Sequence, residues 1–379
     1  MEMPYATCRN PKLILLVAAE ILAAAVPCFA QAIDERNLVR LDGNTHPAAR
    51  AEFDAGAVPA DFPMGSILLH LKRTPEREAA LERLIDKLHD PQSPRFHQWL
   101  TAEELGRRFG PAPQDLDKAA NWLRSYGFRI NRVYPSGMLI EFEGTAGQVL
   151  RAFHTEIHRY HVDGAQYIAN TSDPQIPAVL EPLIAGPASL YSFRRHAHRS
   201  HFTQTFRGVT EYYVTPYDYA TIYNALPLWN AGITGAGHTV AVLEDSDMLA
   251  ADWSTFVSAF DLTPFGGTFA TQNPSCTDPG RNGDEIEAAV DAESVTTFAP
   301  GAAVVLAACP STKTTDGDIT AAVNLLNAPN PPEIFSDSYG GCEAQNTKAY
   351  QALIASTWQQ AVTEGVSVYV AAGDEGADE

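Results

Sequence analysis

The chain has 379 residues, 45% of them hydrophobic, which leaves room for two ordinary domains with real cores and excludes general disorder. Its net charge of -20 is unevenly held: residues 1–210 carry 23 Lys+Arg against 23 Asp+Glu, and residues 211–379 carry 3 against 23. So few cations in the second part argue against nucleic-acid binding, while its acidity fits either adaptation to acid or plain solubility.

Arg9 and Lys12 precede an apolar run over residues 13–26, interrupted by Glu20, and Cys28-Phe29-Ala30 leads into Gln31. A basic start, an apolar core and a small-residue exit predict a signal peptide over residues 1–30 and a secreted product, extracellular or periplasmic. The run is too short for a membrane anchor, so no membrane partner is expected. Residues 31–62 carry weak signals and read as a lead-in.

From residue 66 the pattern sharpens. Residues 66–71 are strand-like, and 75–88 show helical spacing through Leu81, Leu84, Ile85 and Leu88. The turn formers Asp90-Pro-Gln-Ser-Pro94 follow. Residues 115–126 read as a second helix, 129–134 and 138–142 as paired strands, 145–153 as a third helix and 154–161 as a strand. This alternation, without a glycine-rich phosphate loop, predicts a compact α+β sandwich of ferredoxin-like kind over residues 63–191.

Residues 192–212 form a connector. Arg194, Arg195, His196, His198, Arg199, His201 and Arg207 crowd sixteen residues of it, a run with little to bury that should be exposed and cleavable. From residue 213 to 379 the rhythm is α/β: strands at 239–243, 303–308, 334–336 and 367–371, with helices at 284–298, 318–326 and 350–364. That order predicts a parallel sheet covered on both faces. Glu244, Ser338 and Asp374 each follow a strand, at the carboxyl edge where sites form in such sheets. Three cysteines remain after the signal; Cys276 is expected to pair with Cys309, leaving Cys342 for a partner beyond residue 379.

The chemistry concentrates in the helix at 284–298. Glu287 and Asp291 lie one turn apart on one face, with Phe298 on the same side, which suggests a pair bordering the interior. Adjacent carboxylates in apolar surroundings separate their pKa values, so that one holds a proton. The competing reading is a solvated acidic face, since Asp284, Glu285 and Glu293 are close by.

Glu287-Ala-Ala-Val-Asp291, then Ala299-Pro-Gly-Ala302, Ser336-Asp-Ser-Tyr-Gly340 and Ala371-Ala-Gly-Asp374, resemble in order the motifs of the sedolisins, the serine-carboxyl peptidases. Phe96-His-Gln-Trp-Leu-Thr101, Phe142-Glu-Gly-Thr-Ala146 and Ile176-Pro-Ala-Val-Leu180 resemble that family's activation prodomain. The resemblance implies a subtilisin-like catalytic domain and a secreted acid endopeptidase zymogen acting on proteins or peptides, with its prodomain as intramolecular inhibitor and folding partner. By it, Glu287 is the general base, Asp291 orients it, and a protonated Asp374 donates to the oxyanion. Glu244 supports Asp291, and Ser338, Tyr339 and Gly340 hold the substrate backbone; some relatives carry tryptophan at the Tyr339 position. The family's Gly-Thr-Ser nucleophile motif has no match in the chain. The expected reading is therefore an incomplete catalytic domain, inactive alone, with the family's calcium site beyond residue 379. The alternative is a non-catalytic product whose prodomain inhibits or helps fold a related peptidase.

Overall fold

The computed structural model describes residues 33–194, 196–197 and 214–373, the pair 196–197 through its backbone only. The expected signal peptide, Asp374 and most of the basic connector lie outside these residues. Among the described residues no helix is long and apolar enough to cross a membrane.

The N-terminal half is built on a four-stranded antiparallel sheet of β1 (Pro63–Leu71), β2 (Arg129–Val133), β3 (Leu139–Thr145) and β4 (Ile184–Pro187), in the order β2-β3-β1-β4. Opposite residues share a face, so the register Ile67↔Phe142 and Leu69↔Ile140 points one set of side chains together. That set meets two helices, α3 (Pro113–Ser125) and α4 (Ala146–Phe153), through Trp122, Phe128 and Phe153. The Thr145 hydroxyl accepts from Gln148 N while the Gln148 side chain returns to the Thr145 backbone, so the sequence itself starts α4. α1 (Pro75–His89) starts at Thr74 and buries Leu81, Leu84 and Leu88 against α2 (Ala102–Phe109). The lead-in adds strands Leu38–Arg40, paired with Gln175–Pro177, and Asp54–Ala57, paired with Ile157–Val162.

The C-terminal half holds a five-stranded parallel sheet. Its strands are β5 (Thr239–Glu244), β6 (Thr268–Gln272), β7 (Ala303–Ala308), β8 (Ile334–Asp337) and β10 (Ser367–Val370), ordered β6-β7-β5-β8-β10; the short β9 (Tyr339–Gly340) follows β8 outside it. Central strands read as apolar runs because both faces are covered. On one face α5 (Glu285–Phe298) lays Ala288 and Ala292 on Val242, Val304 and Leu306. On the other, α6 (Gly317–Leu326) and α7 (Lys348–Glu364) bury Ala321, Leu325 and Ala361 against Ala241, Leu243 and Phe335. A disulfide joins Cys276 to Cys309 across the segment containing α5.

The outer sides of α6 and α7 receive the second face of the antiparallel sheet. Leu68, Tyr134, Leu139 and Ala188 pack with Ile319, Val323 and Leu353, each full burial contributing about 1.5–3 kcal/mol for a leucine or isoleucine. This explains why residues 66–71 are apolar without alternation: both faces of β1 are covered. Asn324 Oδ1 accepts from Arg132 Nη1 at 2.9 Å and from Tyr134 Oη at 3.2 Å, and Leu100 N donates to Thr363 O at 3.1 Å.

Phe298 corrects the sequence reading. It is 42% exposed and packs edgewise against Tyr219 and Tyr223, because the last turn of α5 runs past the sheet to the helix Pro216–Ile222. What encloses Glu287 and Asp291 is the sheet edge beside them.

Candidate active site

Four stretches meet at the carboxyl edge of the parallel sheet: the end of β5, the first half of α5, the segment from Asp337 through Gly340, and residues 371–373 after β10. The turn before α5 is fixed by local bonds. Asn282 Nδ2 donates to Asp245 O at 2.8 Å, Asn282 N to Ser246 Oγ at 3.1 Å, and Asp284 N to Asn282 Oδ1 at 2.8 Å. The first turn of α5 is thereby tied to the residues following β5.

Glu287 and Asp291 are 6% and 8% exposed, and Glu244 is fully buried. Glu285, by contrast, reaches out to Arg281 at 3.0 Å. The paired face is therefore interior. Burial raises Asp291 to about 6, with the charge of Asp337 adding to the rise, while hydrogen bonds from Ser338 and Glu244 oppose it. Burial, then the charge of Asp291, pushes Glu244 well above the ordinary carboxylate range, against a lowering hydrogen bond from Tyr339. The charge of Asp337 is thus felt at Asp291, and that of Asp291 at Glu244.

Tyr339 Oη lies 2.9 Å from Glu244 Oε2 and 3.0 Å from Asp245 Oδ1. One hydroxyl carries one proton, so it donates to one of these two oxygens at a time. Tyr339 N donates to Asp337 Oδ1 at 3.1 Å, and Ala371 N to Asp337 O at 2.9 Å. Asp337 thus pins both sides of the edge. The sequence reading passed over it, although it stands between Ser336 and Ser338 at the end of a buried strand. Asp318, 1% exposed and adding to the rise in the Tyr339 pKa, was missed as well.

The structure brings Asp291, Glu244, Ser338 and Tyr339 together, with Glu287 on the same buried face as Asp291. Gly340 continues the edge as β9, against which residues 196–197 lie antiparallel, His196 opposite Gly340 and Ala197 opposite Tyr339. A groove of about 390 Å³ opens alongside, lined by Gly340, Tyr350, Ile354, Trp358, Val370 and Gly373. Among the described residues no cluster of histidine, cysteine, aspartate or glutamate could hold a metal ion.

Residues 57–193 match the sequence model of the family described as Pro-kumamolisin, activation domain. The chain is 26% identical to xanthomonalisin of Xanthomonas sp. (strain T-22), over 84% of this chain and 40% of that protein. It is 27% identical to kumamolisin of Bacillus sp. (strain MN-32), over 89% of this chain and 61% of the relative. To sedolisin of Pseudomonas sp. (strain 101) it is 25% identical, over 80% and 53%. The chain spans about half the length of these relatives. With a match to that activation domain at its front and similarity to these peptidases along most of its length, the chain resembles the sedolisins throughout.

Proposed function

We propose that this chain is the front part of a secreted, acid-active serine-carboxyl endopeptidase zymogen that hydrolyses protein or peptide substrates. The observation carrying the reading is the buried carboxylate group at the sheet edge, Asp291 held by Glu244 and Ser338 beside a strand edge already occupied by a peptide segment. Glu287 acts as general base toward a serine hydroxyl. Asp291, holding a proton below about 6, donates toward its neighbour on the same helix face and keeps Glu287 aimed. Glu244 and Ser338 hold Asp291 in place, and Tyr339 holds Glu244. Asp374, which lies outside the described residues, is assigned to the oxyanion by resemblance, and a neutral carboxyl there can donate only in acid.

Ser338, Tyr339 and Gly340 present a backbone edge that an extended substrate completes as an antiparallel strand, the role residues 196–197 play here. In this reading the N-terminal half is an intramolecular inhibitor. Its sheet clamps α6 and α7, and its connector fills the substrate edge until cut. No serine of residues 1–379 is assigned as nucleophile, since Gly-Thr-Ser does not occur among them, so this stretch alone is expected to be inactive. The calcium implied by the resemblance finds no donor cluster among the described residues and enters no step.

The test is hydrolysis of a denatured protein, measured against pH, by the product of the whole reading frame. Activity should peak in acid and vanish in Glu287→Gln. A maximum above neutral pH, or full activity in Glu287→Gln, would sink the mechanism.

A further inference from the structure

Arg194 leaves the N-terminal half and turns inward. Its side chain is 20% exposed, and Nη1 lies 3.2 Å from Asp316 Oδ1, whose own side chain is 8% exposed. The other Asp316 oxygen accepts from the hydroxyl of Tyr350, itself 5% exposed. Asp316 stands just before α6 and Tyr350 sits on α7, so both groups belong to the C-terminal half and the guanidinium is a visitor. Surface ion pairs contribute little, but this one is enclosed, and its carboxylate is held by a second donor.

The strand pairing gives the visitor a direction. His196 opposite Gly340 and Ala197 opposite Tyr339 mean that the segment runs from Gly340 toward Ser338, hence toward Asp291. A bond brought to the carboxylates therefore follows Ala197 or lies further on, and Arg194 is at least the fourth residue before it. From this we infer that Asp316 and Tyr350 form a recognition pocket for an arginine side chain on the acyl side of the cleaved bond, filled by Arg194 before processing. This rests on the peptidase reading above and adds the substrate class: extended peptides with a guanidinium upstream of the cleaved bond.

Two arms test it separately. In the first, the activated product of the whole reading frame is given peptides carrying arginine, or its neutral isostere citrulline, at single positions from the third to the sixth before the cleaved bond. At one position no nearer than the fourth, arginine should be favoured about 10- to 100-fold in kcat/KM, the range for hydrogen bonds to a charged group. Asp316→Asn should bring that ratio to about 1, and Tyr350→Phe should lower it. Equal rates for the two peptides, or a ratio that survives Asp316→Asn, overturn the inference. The second arm needs no turnover. Trypsin is applied to the 379-residue chain and cutting after Arg194 is followed by mass spectrometry. Docking should slow this cut, and Asp316→Asn should speed it about tenfold or more; an unchanged rate overturns the inference. A chain that passes the trypsin arm while the whole product hydrolyses no peptide keeps the arginine pocket and loses the peptidase reading.

Discussion

Tyr339 Oη and Glu244 Oε2 lie 2.9 Å apart in a fully buried corner, and that contact couples the strand-binding edge to the carboxylate cluster. The tyrosine that lies opposite Ala197 also steadies the acid beside Asp291. Because its hydrogen bond lowers the Glu244 pKa, Tyr339→Phe should raise it further and shift the titration of the whole cluster toward higher pH. Activity of the whole product should fall about tenfold, since a buried acceptor loses its donor at a cost of about 1–3 kcal/mol. Tyr339→Trp restores an N–H donor and should recover part of the rate. A pH profile unmoved in Tyr339→Phe would separate the edge from the cluster.

Glu287→Ala and Asp291→Ala should each lower processing and turnover by about 1,000-fold or more while leaving the fold intact. Glu285→Ala should stay near the parent, because Glu285 pairs with Arg281 away from the buried carboxylates. The measurement is conversion of the precursor at acid pH, with circular dichroism to check folding. Equal losses in all three variants would favour the solvated acidic face after all.

The disulfide ties the stretch after β6 to the end of β7, and Cys309 sits in the core under α6. Closing a 33-residue separation stabilises by roughly 3–4 kcal/mol on the chain-entropy account. Replacing both Cys276 and Cys309 with serine should lower the thermal midpoint of the C-terminal half by several degrees, and calorimetry can read it. An unchanged midpoint would show that neighbouring packing carries the region.

The elements with strong local chemistry were legible in the sequence. α1, α4 and α5 declare themselves through apolar spacing or caps, and the central strands β5 and β7 through short apolar runs. α2 was not read, although Thr101 and Glu104 form a capping box at its start. β6 was missed for a physical reason: it is an edge strand whose residues are mostly exposed, so burial imprints little pattern on it. Glu287 and Asp291 could be paired by spacing, but the surroundings of Asp291 include Asp337 and Ser338, which meet it from a stretch about fifty residues away. Phe298 misled because a helix face says nothing about where the sheet beneath it stops. Docking of Arg194 into the distant C-terminal half leaves no local signature at all.

Acid should loosen the N-terminal half through its buried histidines. The connector histidines His198 and His201 lie outside the described residues, and His196 is described by its backbone alone. The interior offers two others. His70, on β1, is 4% exposed with no hydrogen-bond partner on either ring nitrogen among the described residues, and its pKa is lowered to about 3, first by burial and then by the charge of Arg73. His46 stacks on Phe193 and is lowered by burial to about 4. A depressed histidine is neutral in the native form, so its contribution is fully present above 6.5 and is lost as pH falls from 6.5 toward 3. By pH 4.5, two units below the ordinary value, His70 alone would cost about 3 kcal/mol. Glu364 works the other way. Burial, with a smaller repulsion from Glu103 across the contact between α7 and α2, raises it to about 8, so its penalty is relieved as pH falls from 8 toward 4.5. Below about 6 the histidines should win, because on release two imidazoles take up protons while a single glutamate gives one up. His70→Leu should therefore move acid release of the N-terminal half to lower pH, and Glu364→Gln should weaken the stabilisation gained between pH 8 and 6. Release is followed by limited proteolysis or size-exclusion chromatography across pH. A midpoint that stays in place in His70→Leu would remove this histidine from the acid response.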